Sequence, residues 1–183
     1  DLDEGSVTAF GRLRRLVEAS EELFVQPAAV DLLARREHGG GELRRKLQER
    51  GFSPEAAERT VEAMRARGYQ SDERFAESWI RSAMRGTGKS RAHIVATLRE
   101  RGIDADVAES ALDAYAAEHP GCFDDTLRLL VEKTVRRVAA IPADTAIEVP
   151  IPRSVLTDAQ RKSVISRLMR RGFSTSEIQK HFH

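Results

Sequence analysis

The sequence predicts an all-α protein of three tandem three-helix repeats, about nine helices in an elongated, curved array, and three observations carry that expectation. Charged residues make up 32% of the 183-residue chain and aromatics only 5%, with Ala, Arg, Glu and Leu abundant, the balance of individually amphipathic helices. One segment recurs: ELRRKLQERGF at 42–52 aligns with HIVATLRERGI at 93–103, 51 positions on, and with SVISRLMRRGF at 163–173, a further 70 on. In that register Leu43, Ile94 and Val164 correspond, as do Leu47, Leu98 and Leu168, and each copy ends on a glycine, Gly51, Gly102 or Gly172. A glycine there suits a helix end that turns through the left-handed region, where a Cβ would clash. After each glycine comes one apolar residue (Phe52, Ile103, Phe173), a short polar cap and another helix, with Ala57 and Val61, Ala108 and Leu112, or Ile178 and Phe182 at its apolar positions.

Taken in order, residues 1–26 form an N-terminal extension, partly disordered or a short helix, in which Leu13, Leu16 and Val17 can share a face. Repeat 1 spans 27–68; Pro27 suits the first helical position and opens a helix through Val30, Leu32 and Leu33 that stops at the triple glycine 39–41. Repeat 2 spans 69–118. Its first helix has Ser71 or Asp72 as candidate N-cap, acids in the first turn, and Phe75, Ala76, Trp79, Ile80 and Ala83 on one broad apolar stripe, with Arg74, Arg81 and Arg85 off it. Gly86 and Gly88 break that helix, and Ser90 caps the next. Repeat 3 spans 119–183: Asp124 or Asp125 caps a helix carrying Leu127, Leu129, Leu130, Val131, Val135 and Val138. Within it, 139–152 is an insertion whose Pro142, Pro150 and Pro152 make an extended connector and exclude a central strand.

The run DERFAESWIRS, a basic glycine-containing turn and a helix ending LRERGI, with ELRRKLQERGF before and SRLMRRGFSTSEI after, resembles the RecX family of regulators of the RecA recombinase, from about residue 28 to the C-terminus. The resemblance implies a modular, curved, all-α protein that lodges in the helical groove of the RecA filament on DNA. There it restrains ATP hydrolysis and strand exchange, a role in DNA recombination, DNA repair and the SOS response. The implied partner is the RecA nucleoprotein filament, bound by a monomer without a cofactor.

Independently of that resemblance, the net charge of +1 conceals a segregation. Arg81, Arg85, Lys89, Arg91, Arg99 and Arg101 face only Glu100 in their stretch; residues 104–118 hold five acids and no Lys or Arg; and 153–171 is again basic. The second-repeat bend therefore concentrates six cations. Arg44, Arg45 and Arg50 in repeat 1 and Arg167, Arg170 and Arg171 in repeat 3 occupy matching helices, and these twelve residues are the candidate surface for an acidic protein groove or for DNA phosphates. On residues alone three classes compete: a filament-binding regulator, a basic helical DNA-binding protein acting through phosphate contacts, and a helical-repeat adaptor.

Other chemistry finds little footing. GTGKS at 86–90 resembles part of a phosphate-binding loop, but Ala83 stands where the pattern needs Gly and a helix precedes it in place of a strand. His38, His93, His119, His181 and His183 are dispersed, without the spacing of a metal site. Cys122, the single cysteine, has His119 nearby but no third group, so neither a disulfide nor an enzyme is expected. No apolar run approaches the 18 or more residues of a membrane span. The beginning DLDEGSVTAF is acidic, unlike a secretory leader, so the expected location is cytoplasmic.

Overall fold

The structure, a computed structural model, describes residues 4–85, 88–147 and 149–182, excluding the side chains of 4–10, 13–15, 17–19 and 153. Gly86 and Thr87 of the glycine turn, the acidic residues Asp1 and Asp3, the Leu13 and Val17 side chains and His183 lie outside the described residues. In chain order the helices are α1 Glu4–Arg35, α2 Gly40–Glu49, α3 Pro54–Ala66, α4 Asp72–Arg85, α5 Arg91–Glu100, α6 Ala105–Glu118, α7 Cys122–Val138, α8 Asp158–Met169 and α9 Thr175–Gln179, with a 3-10 turn at Arg153–Val155. Among the described residues there is no strand, only an isolated bridge between Ile151 and Phe182. The fold is all-α and repetitive.

The repeat register decides what is buried. Leu43, Ile94, Val164, Leu47, Leu98 and Leu168 all have no exposed surface, and Ala57, Ala108, Leu112 and Ile178 on the following helices are equally sealed. Gly51, Gly102 and Gly172 have φ of 93°, 81° and 86°. At the end of α2 the Phe52 N–H donates to Leu47 O (3.2 Å) and the Gly51 N–H to Gln48 O (2.9 Å); Phe173 and Gly172 repeat the pattern onto Leu168 O and Met169 O. These paired bonds satisfy carbonyls that a helix end leaves open, and they require the left-handed glycine.

Two sequence expectations are corrected. Pro27 does not open a helix: α1 runs on through it, and residues 4–26 form the first part of a single 32-residue helix. The missing proline N–H leaves only the Leu23 carbonyl without its helical donor, and Leu23 lies on the solvent side, where water can donate. Along that side Leu16, Leu23, Phe24 and Val30 are exposed, so Val30 faces away from the core that Val25, Ala29 and Leu32 enter. Second, α7 begins at Cys122 after the left-handed Gly121, which places Asp124 and Asp125 inside its first turn, beside the positive helix end, in place of the cap. On α7 the apolar residues the sequence places there divide, Leu127, Leu130, Val131 and Val135 buried and Leu129 61% exposed.

The chain divides into two compact units, one comprising the chain up to Phe75 together with Arg101–Ile103, the other Ala76–Glu100 together with the chain from Asp104 onward. In the first, α1, α2 and α3 close over Val25, Ala29, Leu32, Leu43, Leu47, Ala57, Val61 and Met64. Ser71 caps α4 by accepting from the Arg74 N–H (3.1 Å), which frees Asp72 to accept from the Gly40 N–H at the start of α2 (2.7 Å), where Gly39 has no capping side chain. In the second, Leu127, Leu130, Val131 and Val135 of α7 meet Val164 and Leu168 of α8, with Ile151, Phe173 and Ile178 completing the core. The Ile151 N–H donates to His181 O (2.7 Å), fastening the proline-containing insertion to the chain end.

The same joint occurs in both units. Gly102 lies backbone on backbone against Gly41 at the start of α2: a Cβ on Gly102 would stand 2.6 Å from the Gly41 Cα. Gly172 lies in the same way on the start of α5, where a Cβ would stand 2.4 Å from Ser90 Oγ and 3.0 Å from His93 Cβ. In each unit, then, a left-handed glycine packs closely on the first residues of a helix.

Candidate interaction surface

The buried face of α4 consists of Phe75, Ala76 and Ile80, and Arg81 and Arg85 stand on its exposed side. Arg81 makes one loose contact, 3.6 Å, with Glu77 a turn earlier, both side chains more than half exposed. Such a pair contributes at most about 1 kcal/mol and exchanges readily for another carboxylate. Arg85, Arg99 and Arg170 are exposed and make no ion pair among the described residues. The Lys89 ammonium lies over the Trp79 ring, 5.2 Å from its centroid, so the indole orients a cation at the bend.

Arg91 differs from its neighbours. Its guanidinium bonds Glu109 (2.8 Å) and Asp113 (2.7 Å), tying the start of α5 to α6. Partial burial works against the charge, but the two carboxylates outweigh it and raise the guanidinium pKa above its ordinary value. Arg101, which the sequence groups with this bend, belongs to the first unit and lies 3.8 Å from the buried Glu42. There too are Arg44, bonded to Glu58 (2.6 Å), Arg45, near Glu49 (3.5 Å), and Arg50, which donates to Ala28 O and Asp31. In the second unit Arg167 reaches Ser163 (3.4 Å) within its own helix.

Seating Gly172 on the start of α5 carries Arg171 to the side of the α4–α5 bend, where a groove of about 240 Å³ opens. Its lining is Met84, Gly88, Thr126, Leu129, Leu130, Lys133 and Arg171. Gly88 has φ of 59°, and a Cβ there would stand 2.8 Å from Thr126 Cγ2, so the bend rests directly on α7. Lys133 and Leu129 escape a reading based on repeats because the recurring segment covers α2, α5 and α8 and not α7. The available signal was the run Leu129-Leu130-Val131, three consecutive apolar positions that cannot all share one helix face.

Two family models match the chain: the first three-helix domain of RecX over residues 28–64 and the second over 71–112. The regulatory protein RecX of Xanthomonas campestris pv. campestris (strain B100) is 34% identical over 151 residues, covering 82% of this chain and 81% of that protein. The chain belongs to the RecX family. Another RecX, from Stenotrophomonas maltophilia (strain R551-3), is 34% identical over 170 residues, covering 93% of this chain and 90% of its own. A crystal structure of regulatory protein RecX shares the fold with a TM-score of 0.72 at 21% identity, over 98% of this chain and 77% of that one. That of RecX from Lactobacillus salivarius does so at 0.68 and 20%, over 88% and 94%. RecX membership supports a regulatory role. In this RecX-family chain no helix is long and apolar enough to cross a membrane, and no group of three or more metal-ligating side chains occurs among the described residues.

Proposed function

We propose that this protein regulates RecA, mainly as an inhibitor, by binding in the groove of the RecA filament on DNA and restraining ATP hydrolysis, strand exchange and coprotease activity during recombinational repair and the SOS response. Relatedness to proteins named regulatory protein RecX over most of the chain carries the reading. The exposed arginines supply a physical means. Arg81, Arg85, Arg99 and Arg170 have weak internal partners or none among the described residues, so a facing acidic surface gains bidentate contacts without breaking a strong internal bond. In the first unit Arg44, Arg45 and Arg50 pair at exposed positions and stay available to exchange, and in the second Lys89, Arg167 and Arg171 add positive charge. Arg91 serves this surface chiefly by holding the start of α5 on α6.

Co-sedimentation with RecA and single-stranded DNA, with and without a nucleotide that supports the filament, tests this reading. The protein is expected in the pellet only with the assembled filament. Equal recovery on bare DNA would identify a plain phosphate binder, and no recovery under any condition would overturn the proposal.

A further inference from the structure

We propose that the groove between the α4–α5 bend and α7 is a docking site for an acidic peptide segment, with an apolar side chain seated on Met84, Leu129 and Leu130 and carboxylates on either side of it paired with Lys133 and Arg171. This rests on the reading that the protein acts on a protein partner, and names the surface and the chemistry it takes. Thr126, Leu129, Leu130 and Lys133 follow one another at spacings of three, one and three residues, which sets them on one face of α7. That face carries a leucine that is 61% exposed, in a helix whose Leu127, Val131 and Val135 are sealed. An exposed leucine at the centre of a concavity, bordered by a methionine and two cations, is built for contact rather than for the core.

The lining chooses among occupants. Among the described residues Lys133 and Arg171 line the groove and no carboxylate does, so the complementary ligand is anionic. Among the described residues no aromatic ring lines it for a base to stack on, which separates it from single-stranded nucleic-acid sites. Its volume of about 240 Å³ is below the roughly 300–1,000 Å³ of small-molecule sites and fits one or two side chains. Close packing borders the groove: Gly88 lies on Thr126 and Leu130, and Gly172 on Ser90 and His93.

The probe is a short fluorescein-labelled peptide with one Leu-Phe pair flanked by Asp and Glu on both sides, titrated with the full chain at low salt and read by anisotropy. Leu129→Glu and Lys133→Glu each weaken binding at least about tenfold while melting as the parent does, since both side chains lie at the surface. Leu16→Glu, an equally exposed leucine on α1, leaves binding unchanged. A peptide with Ser in place of Leu-Phe binds at least about tenfold more weakly. If the groove variants bind the peptide like the parent, or an oligothymidylate displaces it as well as unlabelled peptide does, the proposal is overturned. The same variants are then sedimented with RecA filaments. Peptide binding that depends on Leu129, with no parent protein on the filament, would retain the groove and remove RecA as its partner.

Discussion

The carboxylate of Glu42 is only 5% exposed, a position that a charge tolerates when it is paired. Arg36 supplies the pair through two nitrogens, at 2.5 and 3.4 Å, Arg101 adds its charge at 3.8 Å, and the His38 Nδ1, itself buried, lies 3.4 Å away. Burial raises the Glu42 pKa, but the Arg36 bond and charge overturn that and leave it below 4.5. For His38, burial and the Arg36 charge outweigh the attraction of Glu42 and leave its pKa below 6.5. Both groups thus bind fewer protons folded than unfolded, so the stability they contribute is present above those values and is lost as pH falls through the folded pKa, first for His38 and then for Glu42. Melting temperature should therefore decline between about pH 7 and about pH 5, and His38→Gln should flatten that decline; an unchanged slope would remove His38 as its source. The leucines provide a second contrast at this scale. Leu98→Ala should cost about 2–5 kcal/mol because the sealed side chain leaves a cavity. Leu129→Ala should stay within about 0.5 kcal/mol, as exposed substitutions do, and equal losses measured by denaturant unfolding would contradict the register.

Among the elements, a glycine turn packed on a helix start recurs in both units. Gly102 is constrained twice, by φ of 81° and by the Gly41 backbone beneath it. Gly102→Val should destabilise by about 1–3 kcal/mol from backbone conformation alone, and the clash with Gly41 adds to that. Gly51→Val meets only the conformational part, since nothing lies within 4 Å of its Cβ position. Thermal unfolding should rank Gly102→Val below Gly51→Val, and the reverse order would mean that the close approach has no energetic weight. The recurrent leucines and glycines were legible because a repeated helix must bury the same position and turn at the same place each time. What the glycines press against was not legible, because Gly41 and Ser90 are separated by sequence from Gly102 and Gly172. Pro27 misled because proline favours a helix start, yet a long helix already packed through Val25 and Ala29 accommodates it. Of the two candidate caps, Ser71 and Asp72, Ser71 caps α4 and Asp72 serves α2, a contact 32 residues away that local sequence does not show. The arginines were legible as charge but not as pairs: only the fold separates Arg91, held by Glu109 and Asp113, from Arg85, which has no ion-pair partner among the described residues.

For the molecule as a whole, a net charge of +1 means that any attraction to a polyanion comes from the distribution of charge rather than from its total. Binding to a RecA filament through exposed arginines should weaken steeply as salt rises, because such contacts are screened within a Debye length of about 8–10 Å near physiological ionic strength. A complex sealed mainly by apolar contacts would be nearly indifferent to salt. The most direct measurement is RecA-dependent ATP hydrolysis on single-stranded DNA in the presence of the variant Arg81→Glu, Arg85→Glu, Arg99→Glu, which spares Arg91 and its link to α6. We expect the variant to melt and show helicity as the parent does, since exposed charges contribute little to stability, and to lose inhibition by at least about tenfold in the concentration required. A folded variant that inhibits as well as the parent would contradict the assignment of these arginines to the contact surface.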